Sequence, residues 1–371
     1  MPRGEDGTTH SGNSSRSGNS SRTHVAVKAT AAAVIGASSA GAASWATYNF
    51  LSAQAKTART RIGKLPPYPP EADGVYMPQG GRPERWNSRQ SADLHLMIFG
   101  DSTAAGLGCT FADETPGVRL ARGLADESGL RVRLSTKAIS GATSKGLSGQ
   151  VDASFVSGSP PDVAVILVGA NDVTARQSVR AAARRLRDAV RRLHDAGSVV
   201  VVGTCPDFGI VTDVPQPLRS VLRQWSLSLA RAQTAATKSA GGHPVPLADL
   251  LTREFLASPD RLFSSDRFHP SPAGYELAAR NILPVMCSAL GVWKGGPLEE
   301  LPEVSAAAEA RRPTVRVWNA LNRMWFLHRS PGTRTPDKQG KRRNPLGIAP
   351  AANLSRIARQ HRRGKRSPLP D

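Results

Sequence analysis

The stretch Leu94-His95-Leu96-Met97-Ile98-Phe99-Gly100-Asp101-Ser102 decides the fold of this chain. A mostly apolar run ends in a Gly-Asp-Ser turn, and small residues follow it as far as Gly106. The pattern predicts a buried strand, a tight turn and the start of a helix, with the Ser102 hydroxyl at the tip of the turn. A serine in that place can act as a nucleophile if the chain also supplies a base to activate it.

Four further apolar runs downstream predict strands, and helical patterns separate them. The predicted strands cover residues 94–99, 132–138, 163–168, 199–202 and 244–247, and the predicted helices lie near 117–128, 178–196, 217–240 and 271–290. Strands that alternate with helices indicate a parallel sheet with helices on both faces. We therefore predict the α/β class, as a three-layer α/β/α sandwich around a five-stranded parallel sheet.

Polar residues suited to acyl transfer follow four of the predicted strands. Ser102 comes after the first, Gly141 after the second and Asn171 after the third, while Asp266 and His269 lie in the loop before the last helix. Ligands of open parallel sheets bind at the carboxyl ends of the strands. The sequence therefore predicts that these side chains meet at one edge of the sheet.

Each of these residues has a definite chemical role in that arrangement. Ser102 is the candidate nucleophile and His269 the general base, with Asp266 holding the imidazole in the required tautomer. The candidate oxyanion donors are the backbone N–H groups of Ser102 and Gly141 and the side-chain amide of Asn171. The chain would then hydrolyse an ester through an acyl-enzyme intermediate.

Four sequence blocks resemble, in order, those of the SGNH (GDSL) hydrolases. The blocks are Gly100-Asp101-Ser102, then Gly141, then Gly169-Ala170-Asn171-Asp172, then Asp266-Arg267-Phe268-His269, and the resemblance covers about residues 93–290. It implies a flavodoxin-like sandwich and the chemistry of an esterase, lipase, thioesterase or carbohydrate deacetylase. It also implies an enzyme that uses neither a metal nor an organic cofactor.

Two other functions are compatible with the same residues. A sugar hydroxyl in place of water would make the chain an acyltransferase with a carbohydrate acceptor. A catalytically silent scaffold could instead bind an anionic polymer or nucleic acid, although the intact Ser102, His269, Asp266 and Asn171 set argues against it. Small-molecule, lipid and acylated-carbohydrate esters all remain possible substrates, and the sequence does not indicate an oligomeric state.

Motifs of several other classes are absent from the sequence. It contains no GxSxG, GxxxxGK[ST] or HExxH pattern, which argues against the standard α/β-hydrolase layout, a P-loop and a zinc protease. The three cysteines form no CxxC pair, which argues against a disulfide framework and a zinc site.

The N-terminal part of the chain predicts attachment to a membrane. Residues 1–23 are rich in Ser, Gly, Thr and Arg and are predicted to be disordered. Residues 24–54 contain an uncharged run, 29–51, long enough for a membrane anchor, with a cleaved signal segment as the alternative. Residues 55–90 are predicted to form a Pro/Gly-rich linker. We expect a protein of the cell envelope, or a secreted one after cleavage.

A basic tail follows the predicted catalytic domain, residues 91–291. The tail, 292–371, carries most of the charge: residues 311–371 have 16 Lys and Arg against two acids, so 16 − 2 = +14 of the net +20. Such a tail favours acidic partners, which are anionic lipid headgroups, anionic cell-envelope polymers or nucleic acid. Residues 315–328 have the pattern of a basic amphipathic helix, which suits either a membrane surface or packing back on the catalytic domain, and the rest is predicted to be disordered.

Overall fold

The structure is a computed structural model that describes residues 45–298, except positions 59, 64, 66–67, 88–91, 157 and 297. The chain divides into two compact units, residues 1–52 and 53–371. Within the first unit, the described residues, 45–52, are helical. The description that follows concerns the second unit alone.

Several predicted segments fall outside the described residues. These are the predicted disordered N-terminus, 1–23, and residues 24–44 of the predicted membrane segment 24–54. The basic tail beyond residue 298, with its predicted helix at 315–328, also lies outside the described residues. Among the helices that the structure describes, none has both the length and the apolar character needed to cross a membrane.

A sheet of six strands forms the centre of the fold. The strands are β1 Gly74–Tyr76, β2 Leu94–Gly100, β3 Val132–Thr136, β4 Val163–Leu167, β5 Val199–Gly203 and β6 His243–Val245. Their order is β1-β3-β2-β4-β5-β6, with β1 antiparallel to β3 and every other pair parallel. The five parallel strands have the flavodoxin-like order β3-β2-β4-β5-β6. In this order β3 is added on one side of β2, and the later strands β4, β5 and β6 are added on the other side.

Helices cover both faces of this sheet. They are α1 Pro116–Ser128, α2 Leu147–Val156, α3 Val179–Asp195, α4 Leu218–Ser239, α5 Leu247–Ala257 and α6 Pro272–Ala289. α2, α3 and α4 pack in a row, and α1 packs against α6. Strand β4 is buried along its whole length, which is why its sequence is a continuous apolar run. The predicted α/β/α sandwich is therefore confirmed.

The sheet differs from the prediction by one strand. We predicted five parallel strands, whereas a sixth, antiparallel strand, β1, lies at the edge beside β3. β1 belongs to residues 55–90, the segment expected to be a linker, and its Tyr76 is 1% exposed. Three residues are too few to show the alternation that identifies a strand, and β1 pairs with a strand more than fifty residues away.

Candidate active site

The nucleophile turn joins the end of β2 to a short helix, Ser102–Ala105. Gly100 has φ +135°, and a Cβ there would lie 1.8 Å from the carbonyl oxygen of Leu167 on the neighbouring strand β4. No other residue fits this position without moving the backbone. The backbone N–H of Asp101 then donates to the same Leu167 oxygen at 3.1 Å, so the turn rests directly on β4.

A glutamine side chain from α2 holds this turn from the other side. Gln150 Oε1 accepts the Gly100 N–H at 2.8 Å, and Gln150 Nε2 donates to the Gly100 oxygen at 2.8 Å. Gln150 is 3% exposed. Both backbone groups of the residue that begins the turn are therefore occupied, and the position of the Ser102 backbone is set before any substrate binds.

Asp101 caps the helix that carries Ser102. Its Oδ1 accepts the Thr103 N–H at 2.9 Å, and its Oδ2 has no hydrogen-bond partner among the described residues. The side chain is buried, and this burial raises the pKa of the Asp101 carboxyl from 3.8 to about 6. Asp101 organises the turn, and its own charge is costly there.

We expect the Asp101→Asn variant to gain stability relative to the parent as the pH rises from 4 to 8. The folded parent binds the Asp101 proton more tightly than the unfolded chain, so its free energy of unfolding falls as pH rises from about 4 through 6. The variant lacks this loss, which amounts to about 3 kcal/mol for a shift of roughly two units. Urea unfolding of both proteins at the two pH values measures the difference, and an equal effect at both would contradict it.

Ser102, His269 and Asp266 form a continuous chain of hydrogen bonds. Ser102 Oγ lies 3.0 Å from His269 Nε2, and His269 Nδ1 lies 2.6 Å from Asp266 Oδ2. All three residues are buried. A carboxylate can only accept, so Nδ1 carries the ring proton and Nε2 presents its lone pair to the serine hydroxyl. The structure thus brings Ser102, at the end of β2, together with Asp266 and His269 from the loop before α6.

Asp266 is itself held by the backbone of its own loop. Its Oδ1 accepts the N–H of Phe268 at 3.0 Å and the N–H of His269 at 2.9 Å, which leaves Oδ2 for the imidazole. Arg267, between them in the chain, has φ +55° and donates its N–H to the Ser264 oxygen at 2.9 Å. The loop closes where the Ser264 N–H donates to the His269 oxygen at 2.8 Å. The three-residue spacing between the carboxylate and the imidazole therefore fits one tight turn.

Asn171 and the Gly141 loop meet at the same edge of the sheet. Asn171 lies in the short helix Ala170–Thr174 after β4, and its Nδ2 donates to the Ala142 oxygen at 3.0 Å. Gly141, one residue earlier in that loop, has φ +79°. A side-chain amide has two N–H groups, so this contact orients Asn171 and leaves one N–H for a ligand.

Two residues near the site were missed in the sequence: Gln150, described above, and Gln233 of α4. Gln233 Oε1 accepts the Cys205 N–H at 2.7 Å, and its Nε2 donates to the Val168 oxygen at 2.8 Å, so it joins the ends of β4 and β5. Both glutamines lie on the buried faces of their helices. For Gln233, a polar residue on the apolar face of a predicted helix was the signal available in the sequence. Gln150 lies in a helix that was not predicted from the sequence, so no such signal was available for it.

Asp172, which follows Asn171, serves the same region. Its carboxylate accepts the Ser144 N–H at 2.8 Å and the Ser144 hydroxyl at 2.7 Å. Burial raises the pKa of Asp172. These contacts connect the helix of Asn171 to the segment that follows Gly141.

Comparisons with known proteins identify the family of this chain. Residues 98–277 match the model of the GDSL-like lipase/acylhydrolase family. The chain is 54% identical to the GDSL-like esterase Rv1075c of Mycobacterium tuberculosis over 264 residues, which is 71% of this chain and 84% of that protein.

Two of the solved structures that resemble this chain are TesA and the psychrotrophic esterase EstA. TesA is 22% identical over 53% of this chain and 99% of its own, with a TM-score of 0.43. The psychrotrophic esterase EstA from Pseudoalteromonas sp. is 20% identical over 54% and 100% of the respective chains, with a TM-score of 0.43. On the family match and the curated relative together, this chain belongs to the GDSL-like lipase/acylhydrolase family and is a hydrolase of ester bonds.

Proposed function

We propose that Ser102, His269 and Asp266 form the catalytic triad of this esterase. The observation that carries the proposal is the unbroken chain of hydrogen bonds from Ser102 Oγ through His269 to Asp266. In the first step Ser102 Oγ attacks the ester carbonyl carbon while His269 Nε2 takes the hydroxyl proton. Asp266 stabilises the imidazolium, which next protonates the departing alcohol. Water activated by the same nitrogen then hydrolyses the acyl-serine.

Three donors are suited to stabilising the oxyanion of both tetrahedral intermediates. They are the backbone N–H groups of Ser102 and Gly141 and the second N–H of the Asn171 amide. Donors that are already oriented lower the barrier because they need not reorganise when charge develops. The Asn171–Ala142 hydrogen bond and the Gln150 contacts to Gly100 supply that orientation.

We expect Asn171→Ala to lower kcat about 10²- to 10³-fold, the usual cost of one oxyanion donor, with a small change in KM. Initial rates with p-nitrophenyl acetate measure the effect. Asn281→Ala is the matched control, because Asn281 also donates its amide to a backbone oxygen, that of Leu277, but lies on α6. A loss below threefold in Asn171→Ala would remove Asn171 from the oxyanion site.

A fluorophosphonate probe tests the proposed mechanism directly. It should form a covalent adduct on Ser102, identified by mass spectrometry of the digested protein, and should leave Ser102→Ala unlabelled. Labelling of Ser102→Ala at the parent rate would place the nucleophile elsewhere.

For the substrate, we propose an ester without assigning one class of ester. Small-molecule, lipid and acylated-carbohydrate esters are all candidates, and no comparison supports the carbohydrate acyltransferase or the silent scaffold. We also propose that residues 24–54 attach the enzyme to the cell envelope, on the basis of the uncharged run 29–51. Fluorophosphonate labelling of intact and of permeabilised cells tests this location together with nucleophile reactivity.

A further inference from the structure

Residues 53–63, which we call the N-terminal strap, contact the loop that carries Asp266 and His269. The Gly63 N–H donates to the Asp266 backbone oxygen at 3.1 Å. A Cβ on Gly63 would lie 2.9 Å from Asp266 Cα and 3.2 Å from the Ser265 oxygen. Backbone therefore packs directly on backbone here, and only glycine allows this approach.

The other end of the strap contacts the loop after β5. Gln54 Oε1 accepts the Leu218 N–H at 3.0 Å, and Gln54 Nε2 donates to the Gln216 oxygen. Between the two ends, Ala55 and Ala58 are 8% and 2% exposed. Ala55 and Ala58 are thus packed into the domain, and the two ends of the strap contact two different loops.

The same two loops also contact each other beside His269. The rings of Phe208 and Phe268 lie edge to face with their centroids 5.8 Å apart, and Phe268 lies 5.1 Å from the His269 ring. Arg267 Nε lies 3.4 Å from Asp213 Oδ2 and completes the connection. A displacement of either loop would therefore change the surroundings of the imidazole.

We propose that the N-terminal strap positions the catalytic carboxylate, and that Gly63 is a positioning residue for the reaction. This inference rests on the proposed function, because it assigns the strap a role through Asp266 and His269. Holding the Asp266 backbone keeps its Oδ2 at 2.6 Å from His269 Nδ1. A shift of about 1 Å in a catalytic group can cost 10²-fold in rate, so a contact outside the triad can control turnover.

Gly63→Ala in the full-length protein tests the proposal. The new methyl group forces the Asp266 backbone away, and we expect kcat to fall about 10- to 100-fold while KM changes less than about threefold. Gly149→Ala is the matched control: it makes the same chemical change at a helical glycine of α2 whose Cβ would meet no atom within 4 Å. The control should keep kcat within about twofold of the parent.

A second measurement separates positioning from a loss of stability. The proton on His269 Nδ1, hydrogen-bonded to Asp266, should give a strongly deshielded resonance in the parent and in Gly149→Ala. We expect that resonance to shift upfield or broaden in folded Gly63→Ala. A parent-like kcat together with an unchanged resonance in Gly63→Ala would overturn the proposal. This holds even if the melting temperature of the variant is lower, because the contact would then affect stability alone.

Gln54→Ala covers the case in which Gly63→Ala does not fold. This substitution introduces no new atom and removes both hydrogen bonds between Gln54 and the loop after β5. We expect kcat to fall about threefold to tenfold, with KM little changed. Parent-like kcat in this variant would count against the strap. Ser102→Ala is assayed in parallel: turnover that survives in it refutes the triad itself, whereas an inactive Ser102→Ala beside fully active strap variants refutes only the strap.

Discussion

Ser102→Ala is expected to lower kcat about 10⁶-fold, and His269→Ala by a similar factor. The first change removes the atom that attacks the ester, and the second removes the imidazole nitrogen that lies 3.0 Å from it and can take its proton. Because the two residues act in one step, the double variant should be no slower than either single variant. Initial rates with p-nitrophenyl acetate, measured well above the background hydrolysis, determine all three values.

The control for this experiment is another serine-to-alanine change within the domain. Ser239 lies at the end of α4 and donates its hydroxyl to the Ala236 oxygen. Ser239→Ala should keep kcat near the parent value. Ester hydrolysis that persists in purified Ser102→Ala at more than about 1% of the parent rate would rule out Ser102 as the nucleophile.

Asp266→Asn is expected to lower kcat about 10⁴-fold, the loss seen when the orienting carboxylate of such a triad becomes an amide. The reason lies in the loop. The N–H groups of Phe268 and His269 need the acceptor oxygen, so the new amide nitrogen must face His269 Nδ1. That nitrogen is a donor, and it selects the tautomer with the proton on Nε2, which cannot accept the Ser102 proton.

Asp162→Asn is a suitable control for this substitution. Asp162 also accepts a backbone N–H, that of His95 at 2.7 Å. It lies just before β4, at the amino ends of the parallel strands, whereas Ser102 lies at their carboxyl ends. Its activity should stay within about threefold of the parent. If Asp266→Asn were equally active, the carboxylate would have no part in orienting the imidazole.

The sequence was sufficient for the five parallel strands and for the residues at their ends. Val163 to Val168 and Val199 to Val202 are continuous apolar runs, which strands buried on both faces require. Ser102, Asn171 and His269 could be placed at one edge because parallel strands end on the same side of a sheet. The order of the strands then brings the hydroxyl and the imidazole to 3.0 Å.

Contacts between distant segments could not be predicted in the same way. The helix α2 lies in a stretch rich in Gly and Ser, and its residue Gln150 has no pattern that connects it to Gly100. The same is true of Gly63, which lies about forty residues after the predicted disordered start and about two hundred before Asp266. Tertiary packing determines such contacts, and local propensity contains no information about which partner a side chain will find.

The short strand β1 has a consequence for any shortened form of this enzyme. Without it, β3 would present a row of unpaired N–H and C=O groups to solvent, and such exposed edges recruit strands from other molecules. Asp73 extends the cover by accepting the Thr136 N–H at 2.8 Å. A chain cut at Ser91, where the regular pattern begins, should therefore self-associate. Residues upstream of the catalytic machinery thus cover a strand edge that would otherwise be open to other molecules.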